Sequence, residues 1–354
     1  MTKVTLTIDG KQVQAEAGTT VLEAAKTAGI EVPHYCYHPG LSIAGNCRMC
    51  LVEVEKMPKP MIGCATTVGE GMVVHTDTEK VKKMRQSVME FLLINHPLDC
   101  PTCDQAGECR LQDYYMDYDQ IPSRFQENKV EKDKMVDLGA NVMLDQERCI
   151  ACTRCIRLCR EVGGKDELAL AYRGDHVTIT TFPGQQLSNN YAGNVVDVCP
   201  VGALTSKDFR FKKRSWFLSK TKSICTGCSR GCNTELHHEG GKVYRMLPRQ
   251  NDEVNKYWIC DEGRYGYKFI NDQRVLRNYV NNGSLSEVSF EEALLQIRAK
   301  LKDLSADEAI VVGHLSQSNE VLASLKAFAK DVLKSHQLFY SSHLFQYLLV
   351  DLPW

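Results

Sequence analysis

Sixteen cysteines among 354 residues constrain this chain more than any other feature. Fifteen of them, joined by one histidine, fall into four sets of four. Cys36, Cys47, Cys50 and Cys64 are spaced C-x10-C-x2-C-x13-C, and His96, Cys100, Cys103 and Cys109 follow as H-x3-C-x2-C-x5-C. Cys149, Cys152 and Cys155 with the remote Cys199 make the third set; Cys225, Cys228, Cys232 and Cys260, spaced C-x2-C-x3-C-x27-C, make the fourth. Four soft donors per set is the complement of a metal centre, so any fold this chain adopts must be built around four ligand-bearing loops.

Zinc is the plain alternative for four thiolates, since paired C-x-x-C groups are its usual structural frame. The first set opposes it. A single close pair flanked by gaps of ten and thirteen residues is nearer the plant-type ferredoxin order of one Cys, a gap, C-x2-C and a remote Cys, which holds a 2Fe-2S cluster. Gly45 and Asn46 can turn the backbone tightly before Cys47, letting peptide N–H groups approach sulfide. The second set has one histidine at most, whereas a Rieske centre needs two on one iron, so that site is excluded. His96 alone would more often be an ordinary surface or core histidine, but its place ahead of the cysteine group, with three residues between, raises the ligand reading well above that.

The third set follows the bacterial pattern C-x2-C-x2-C-x3-C with a distant Cys-Pro, here Cys199-Pro200, which holds 4Fe-4S. In two-cluster ferredoxins the fourth cysteine of each run serves the other cluster, so Cys199 completes this set and Cys159 is left for a second one. That second cluster would need cysteines where Asn189, Ala192 and Val195 stand, and Cys159 is therefore expected to be a small hydrophobe in a former cluster pocket. By spacing alone the fourth set suits zinc or 4Fe-4S, and the company of three iron-sulfur patterns favours iron. His34 and His38 flank Cys36, but that set is complete without them and they are expected to be loop residues. Lys207 to Lys222 mixes cations with Phe209, Phe211, Trp216 and Phe217, a composition that can stack on nucleic acid. A solvated or cluster-compensating segment is the better expectation in a chain of net charge −1.

An apolar fraction of 43% suffices for buried cores. No apolar run approaches the ~20 residues of a membrane span, and Met1 to Ile8 alternate like a strand, unlike a secretory or transit leader. A cytoplasmic setting is expected, where thiols stay reduced and C-x-x-C pairs favour metals over disulfides. No G-x-G-x-x-G follows a strand and no P-loop occurs, so no nucleotide site is expected.

Val4 to Ile8, Asp9-Gly10 and Val13 to Ala15 predict a hairpin. Thr20-Val21-Leu22-Glu23 is a capping-box sequence that opens a helix ending near Gly29. Val81, Met84, Val88, Phe91 and Leu92 recur at helical spacing up to His96-Pro97. Residues 119–139 read as a connecting segment, Val177 to Thr181 as a strand, and Ser289-Phe290-Glu291-Glu292 as a second capping box. Ala309 to Gly313 predicts a buried strand followed by a helix to about Leu333. The expected class is α+β multidomain: a β-grasp 2Fe-2S ferredoxin-like domain over 1–78, a cluster domain with one histidine and three cysteine ligands over 79–118 and a ferredoxin-like 4Fe-4S domain over 140–220. A fourth cluster domain, the third of 4Fe-4S type, is expected over 221–280, and over 285–354 a shortened α/β tail whose strand lacks partners at its edges.

The order of these motifs, with Cys199-Pro200-Val201-Gly202-Ala203-Leu204, resembles the G-subunit family of bacterial NADH:quinone oxidoreductase, respiratory complex I, over about residues 1–275. The resemblance implies one 2Fe-2S cluster on the first set and 4Fe-4S clusters on the other three, with His96 as the non-thiolate ligand and neither flavin nor molybdopterin bound. It implies a chain without its own substrate site, passing electrons from the flavin of an NADH-oxidising partner subunit toward quinone. It would lie on the cytoplasmic face of the inner membrane, touching it only through other peripheral-arm subunits. The fourth domain and the tail resemble the start of a molybdopterin-oxidoreductase-type region. Electron-transfer subunits of NAD-linked hydrogenases and formate dehydrogenases share the first three motifs, and a zinc-stapled interaction protein would show the same cysteine count.

Overall fold

Asp9 and Gly10 both take left-handed backbone angles, φ 48° and 78°, which matches a two-residue turn to the twist of the strands beside it. They join β1 (Lys3–Ile8) to β2 (Lys11–Glu16) with Leu6 opposite Val13, so that Leu6, Ile8 and Val13 point to one buried face. Helix α1 (Val21–Thr27) starts at Thr20, whose hydroxyl accepts from the Glu23 N–H at 3.3 Å, and it buries Val21, Leu22, Ala24 and Ala25. β3 (Leu51–Val54), β4 (Met61–Ile62) and β5 (Val73–His75) complete a five-stranded sheet of order β2-β1-β5-β3-β4, in which β1 and β5 run parallel. Val52, Val74 and Cys64 close its core against α1.

The computed structural model describes residues 2–119, 121–272, 276–281, 283–314 and 317–341. Of the described residues, those within 1–223 and 233–265 form one compact unit, and those within 224–232 and 266–341 a second.

In the first unit, Thr78 caps α2 (Glu79–Leu93), which buries Val81, Arg85 and Met89. The apolar stripe expected from the sequence is rotated: Phe91 is 75% exposed. Arg85 takes a buried position instead, its two terminal nitrogens donating to the Tyr118 hydroxyl and the Leu51 carbonyl, each at 3.2 Å. α3 (Arg110–Tyr118) follows Cys109 directly. The connecting segment then lies along α2: Arg124 makes a fork on Glu90, and Lys129 Nζ donates to the Leu93 and Ile94 carbonyls at 2.7 and 2.8 Å, a cation on the free carbonyls of a helix end.

β6 (Val136–Asp137), β7 (Val142–Leu144), α4 (Arg154–Glu161), the hairpin of β8 (Ala169–Ala171) and β9 (Thr178–Thr180), α5 (Asn194–Val198) and β10 (Leu204–Ser206) follow. β10, β7 and β6 form one small sheet, and Leu144, Leu158, Val195 and Leu204 join Met89 and Leu111 in a single core. A further sheet of β11 (Ser219–Ile224), β12 (Asn233–Glu239) and β13 (Lys242–Pro248) precedes α6 (Asp261–Tyr265). Buried Arg264 on α6 pairs with Asp197 on α5.

The second unit carries the hairpin β14 (Asn278–Asn281) and β15 (Leu285–Val288), then α7 (Phe290–Leu301), capped by Ser289 as expected. β16 (Val311–His314), α8 (Asn319–Ala327) and β17 (Leu338–Ser341) form a parallel βαβ unit. This corrects the expectation of a strand without partners: β17 pairs with one edge, Val311 facing Leu338. Val311 is buried while Val312 is 56% exposed, so the strand is half-buried and not fully enclosed. The end of the expected tail domain, 342–354, lies outside the described residues. No described helix is long and apolar enough to cross a membrane.

Candidate metal centres

The first set is assembled by the loop after α1 and by the ends of β3 and β4. Cys36, Cys50 and Cys64 are buried and Cys47 is half-buried. The thiols of Cys47 and Cys64 hydrogen-bond to Cys36 and hold its pKa far below the usual range, and that of Cys64 lowers Cys50. Four sulfurs linked pairwise in this way form a donor set suited to a sulfide-bridged cluster. The Cys36 N–H points at Cys47 Sγ, 3.4 Å away. Gly45 supplies the turn with φ 65°, where a side chain would be strained and its Cβ would sit 3.1 Å from Ile62.

For the second set, α2 ends at Leu93 and Pro97 follows, leaving His96 just past the helix end. Its Nδ1 is buried and has no hydrogen-bond partner, and burial lowers the imidazole pKa to about 4. A neutral, unpartnered ring nitrogen is what a metal ligand requires, because an unsatisfied buried nitrogen otherwise costs free energy. Cys103 and Cys109 are buried and Cys100 is exposed. Burial raises the Cys109 thiol to about 11.

The third set lines one enclosed pocket, with Cys149, Cys152, Cys155 and Cys199 walled by Leu144, Ile179 and Leu204. Ala151 and Thr153 between the cysteines take φ 52° and 62°, which turns the short loop back on itself and aims the Ala151 N–H at Cys149 Sγ, 3.4 Å. Burial raises Cys149, Cys152 and Cys199 to about 11, so these thiols are neutral in the metal-free chain and loading must release protons. Cys159 is fully buried in the same core as Ala192 and Val195, with Asn189 Nδ2 3.8 Å from its sulfur.

Of the fourth set, Cys225, Cys228 and Cys232 share one loop, closed by the Cys225 N–H on the Cys232 carbonyl at 2.8 Å and turned by Gly231 at φ 61°. Cys260 lies in the other compact unit, ahead of α6, where the Gly263 N–H approaches its sulfur at 3.4 Å. Among the described residues no group of three His, Cys, Asp or Glu side chains is set to chelate a single ion.

Direct contacts join the first three sets. Arg157 donates to the carbonyls of Cys36 (2.6 Å), Cys152 (3.4 Å) and Ser42, and Arg154 to those of Val198 (3.1 Å) and Tyr37. Arg148, the neighbour of Cys149, forks onto Asp99, the neighbour of Cys100, at 2.7 and 3.3 Å. Gly202 packs on Cys103 Sγ with no room for a Cβ, and Cys109 Sγ lies 3.9 Å from the Pro200 carbonyl. The third set is thus central, touching the first on one side and the second on the other.

Sequence reasoning missed these arginines, although Arg154 and Arg157 sit three apart within and just after the C-x2-C-x2-C run. The basic stretch at 207–222 is also partly explained. Arg214 donates to the Cys103 (2.6 Å) and Pro101 carbonyls, and the Phe211 N–H to Asp104 at 2.9 Å, so the segment braces the second set. His34 Nδ1 bonds to the Val32 carbonyl at 2.8 Å and His38 stacks on Trp258, which occupies both rings.

Four protein-family profiles match in chain order. They are a 2Fe-2S iron-sulfur cluster binding domain over 1–79, the NADH-ubiquinone oxidoreductase-G iron-sulfur binding region over 85–121, the ferredoxin-like domain of NADH-quinone oxidoreductase subunit 3 over 139–205, and the molybdopterin oxidoreductase Fe4S4 domain over 218–272. The G subunit of NADH-quinone oxidoreductase from Rickettsia bellii is 46% identical over 331 residues, 93% of this chain and 48% of that protein. The mitochondrial NADH-ubiquinone oxidoreductase 78 kDa subunit of Neurospora crassa is 44% identical over 328 residues, covering 91% and 44%. A chain in the crystal structure of an NAD+-reducing [NiFe]-hydrogenase in the H2-reduced state aligns with TM-score 0.55 and 29% identity, over 60% of this chain and 91% of that one. The chain spans about half the length of the curated relatives it matches. With iron-sulfur binding regions in this order and such identity along nearly its whole length, the chain belongs to the family of NADH-quinone oxidoreductase G subunits.

Proposed function

We propose that this chain is an iron-sulfur electron-transfer subunit of an NADH:quinone oxidoreductase. It would carry electrons from the flavin of an NADH-oxidising partner toward quinone, on the cytoplasmic face of the membrane and among other peripheral-arm subunits. The observation that carries the reading is the central third set, whose loops touch those of the first and the second.

In this reading Cys36, Cys47, Cys50 and Cys64 hold a 2Fe-2S cluster. His96 with Cys100, Cys103 and Cys109, Cys149, Cys152 and Cys155 with Cys199, and Cys225, Cys228 and Cys232 with Cys260 each hold a 4Fe-4S cluster. The domain limits are those inferred from the sequence, a β-grasp fold at the N-terminus included, and neither molybdopterin nor flavin belongs to this chain. When bound, the clusters supply one-electron carriers at fixed positions. The chain's own part is to bind them through deprotonated thiols, to exclude water with walls such as Leu144, Ile179 and Leu204, and to set their charge environment through Arg148, Arg154 and Arg157.

The similarity to a chain of an NAD+-reducing hydrogenase supports a second reading, a carrier in an NAD-linked hydrogenase. The higher identity to oxidoreductase subunits and the fourth cysteine set favour the first. Anaerobic chain mixed with NADH should stay oxidised, and addition of a complex I flavoprotein subunit should bring up reduced-cluster paramagnetic signals. Reduction by NADH without the flavoprotein, or none with it, would overturn the proposal.

A further inference from the structure

Two guanidinium groups lie where the first cysteine loop meets the third. Arg157 is 8% exposed and spends its donors on backbone carbonyls of both loops: Cys36 and Ser42 on one side, Cys152 on the other. Arg154 does likewise, holding Tyr37 of the first loop and Val198, the residue before Cys199. Its Nε is buried without a hydrogen-bond partner. Among the described residues neither guanidinium pairs with a carboxylate; both donate to carbonyls, and the Thr153 hydroxyl lies 3.4 Å from Arg157 Nε. Of the other buried arginines in this unit, Arg264 pairs with Asp197 and Arg148 with Asp99 and Asp145, while Arg85 donates to the Leu51 carbonyl and the Tyr118 hydroxyl.

A buried charge without a counter-charge is costly. Carbonyl dipoles offset part of that cost, and the remaining candidates for a counter-charge are the thiolates. Arg154 donates to Tyr37, next to Cys36, and to Val198, next to Cys199, so it stands beside a ligand of each set. Loaded, each site presents four thiolates to the same pair of cations.

We propose that Arg154 and Arg157 form one cationic bridge shared by the first and third metal centres, raising the reduction potentials of both together and fixing the spacing of the two loops. They are positioning and charge-compensating residues, not ligands. The inference rests on the iron-sulfur reading of both sets. Addition of an electron makes a thiolate-bound centre more anionic, so a shared cation favours the reduced state on either side. The second set, whose charge partner is the Arg148–Asp99 pair, lies outside this bridge.

The test uses the full chain, loaded anaerobically, as Arg154→Gln and Arg154→Lys. Iron and sulfide analysis is combined with redox titration followed by paramagnetic resonance. With Gln, the midpoints of the first and third centres should fall together while that of the second stays put. Lys, which restores the charge but not the two-carbonyl fork, should bring both back toward the original values. If Gln prevents loading of these centres and Lys restores it, the charge is again what matters, since Lys cannot rebuild the contacts. Full loading with unmoved midpoints in the Gln variant, or equal loss of iron in both variants, overturns the proposal. A chain with zinc in place of iron at the first and third sets would instead refute the functional reading on which it rests.

Discussion

Replacing Gly202 with Ala tests whether the second and third sets share a wall as tightly as the structure indicates. The backbone of Gly202 is not left-handed, so Ala is tolerated locally and only the surroundings object. An added Cβ would collide with Cys103 Sγ and come within 3.1 Å of Gln105 Cβ. Overpacking of this kind costs roughly 1–3 kcal/mol. Two responses are open: the Cys103 side chain rotates its sulfur away, or the 199–204 loop shifts. The first weakens binding at the second set by roughly 5- to 160-fold if the whole strain falls on loading. The second lowers the melting midpoint by roughly 2–4 °C per kcal/mol in a unit of this size. Anaerobic reconstitution, resonance spectra and thermal melts should therefore show a reduced second-set signal, a lower midpoint or both, with the first-set signal intact. Full loading of the second set at unchanged stability would refute the contact and the argument built on it.

Three further outcomes follow from named side chains. His96→Cys should keep a cluster at the second set and lower its potential, because thiolate adds negative charge; unchanged potentials in a redox titration would mean that His96 does not ligate. Cys159→Ser should leave cluster content unaltered while Cys199→Ser depletes the third centre, as iron analysis of the two variants would reveal; equal losses would contradict the assignment. His237 is buried, its pKa is pushed down to about 4, and Arg245 Nε donates to its Nδ1 at 3.1 Å, which requires the neutral ring. The unfolded state therefore takes up a proton that the folded state refuses, and stability present above pH 6.5 is lost as pH falls toward 4, by roughly 2–4 kcal/mol. His237→Gln should lessen the slope of the stability profile across that window, measured by denaturant melts, and an unchanged slope would show that the ring protonates freely.

Much of the fold was legible because local chemistry decided it. Asp9-Gly10 demanded a turn, Thr20, Thr78 and Ser289 each cap the helix expected after them, and the spacing of Cys149, Cys152 and Cys155 brought three donors to one pocket. Helix α2 was found from its period, but its buried face was misjudged because Arg85 took a place that hydropathy assigns to apolar residues. The partner of β16 was missed because Leu338 to Ser341 is a four-residue run without turn signals, and its pairing is parallel and distant. The arginine contacts between sets were beyond reach for the same reason. Arg157 and Cys36 are 121 residues apart, and no period or cap relates them.

Metal and sulfide analysis of the anaerobically isolated chain tests the central claim most directly. Four complete ligand sets, one for 2Fe-2S and three for 4Fe-4S, predict about 14 iron and about 14 sulfide per chain with little zinc. Zinc near four per chain with little iron or sulfide would contradict the account.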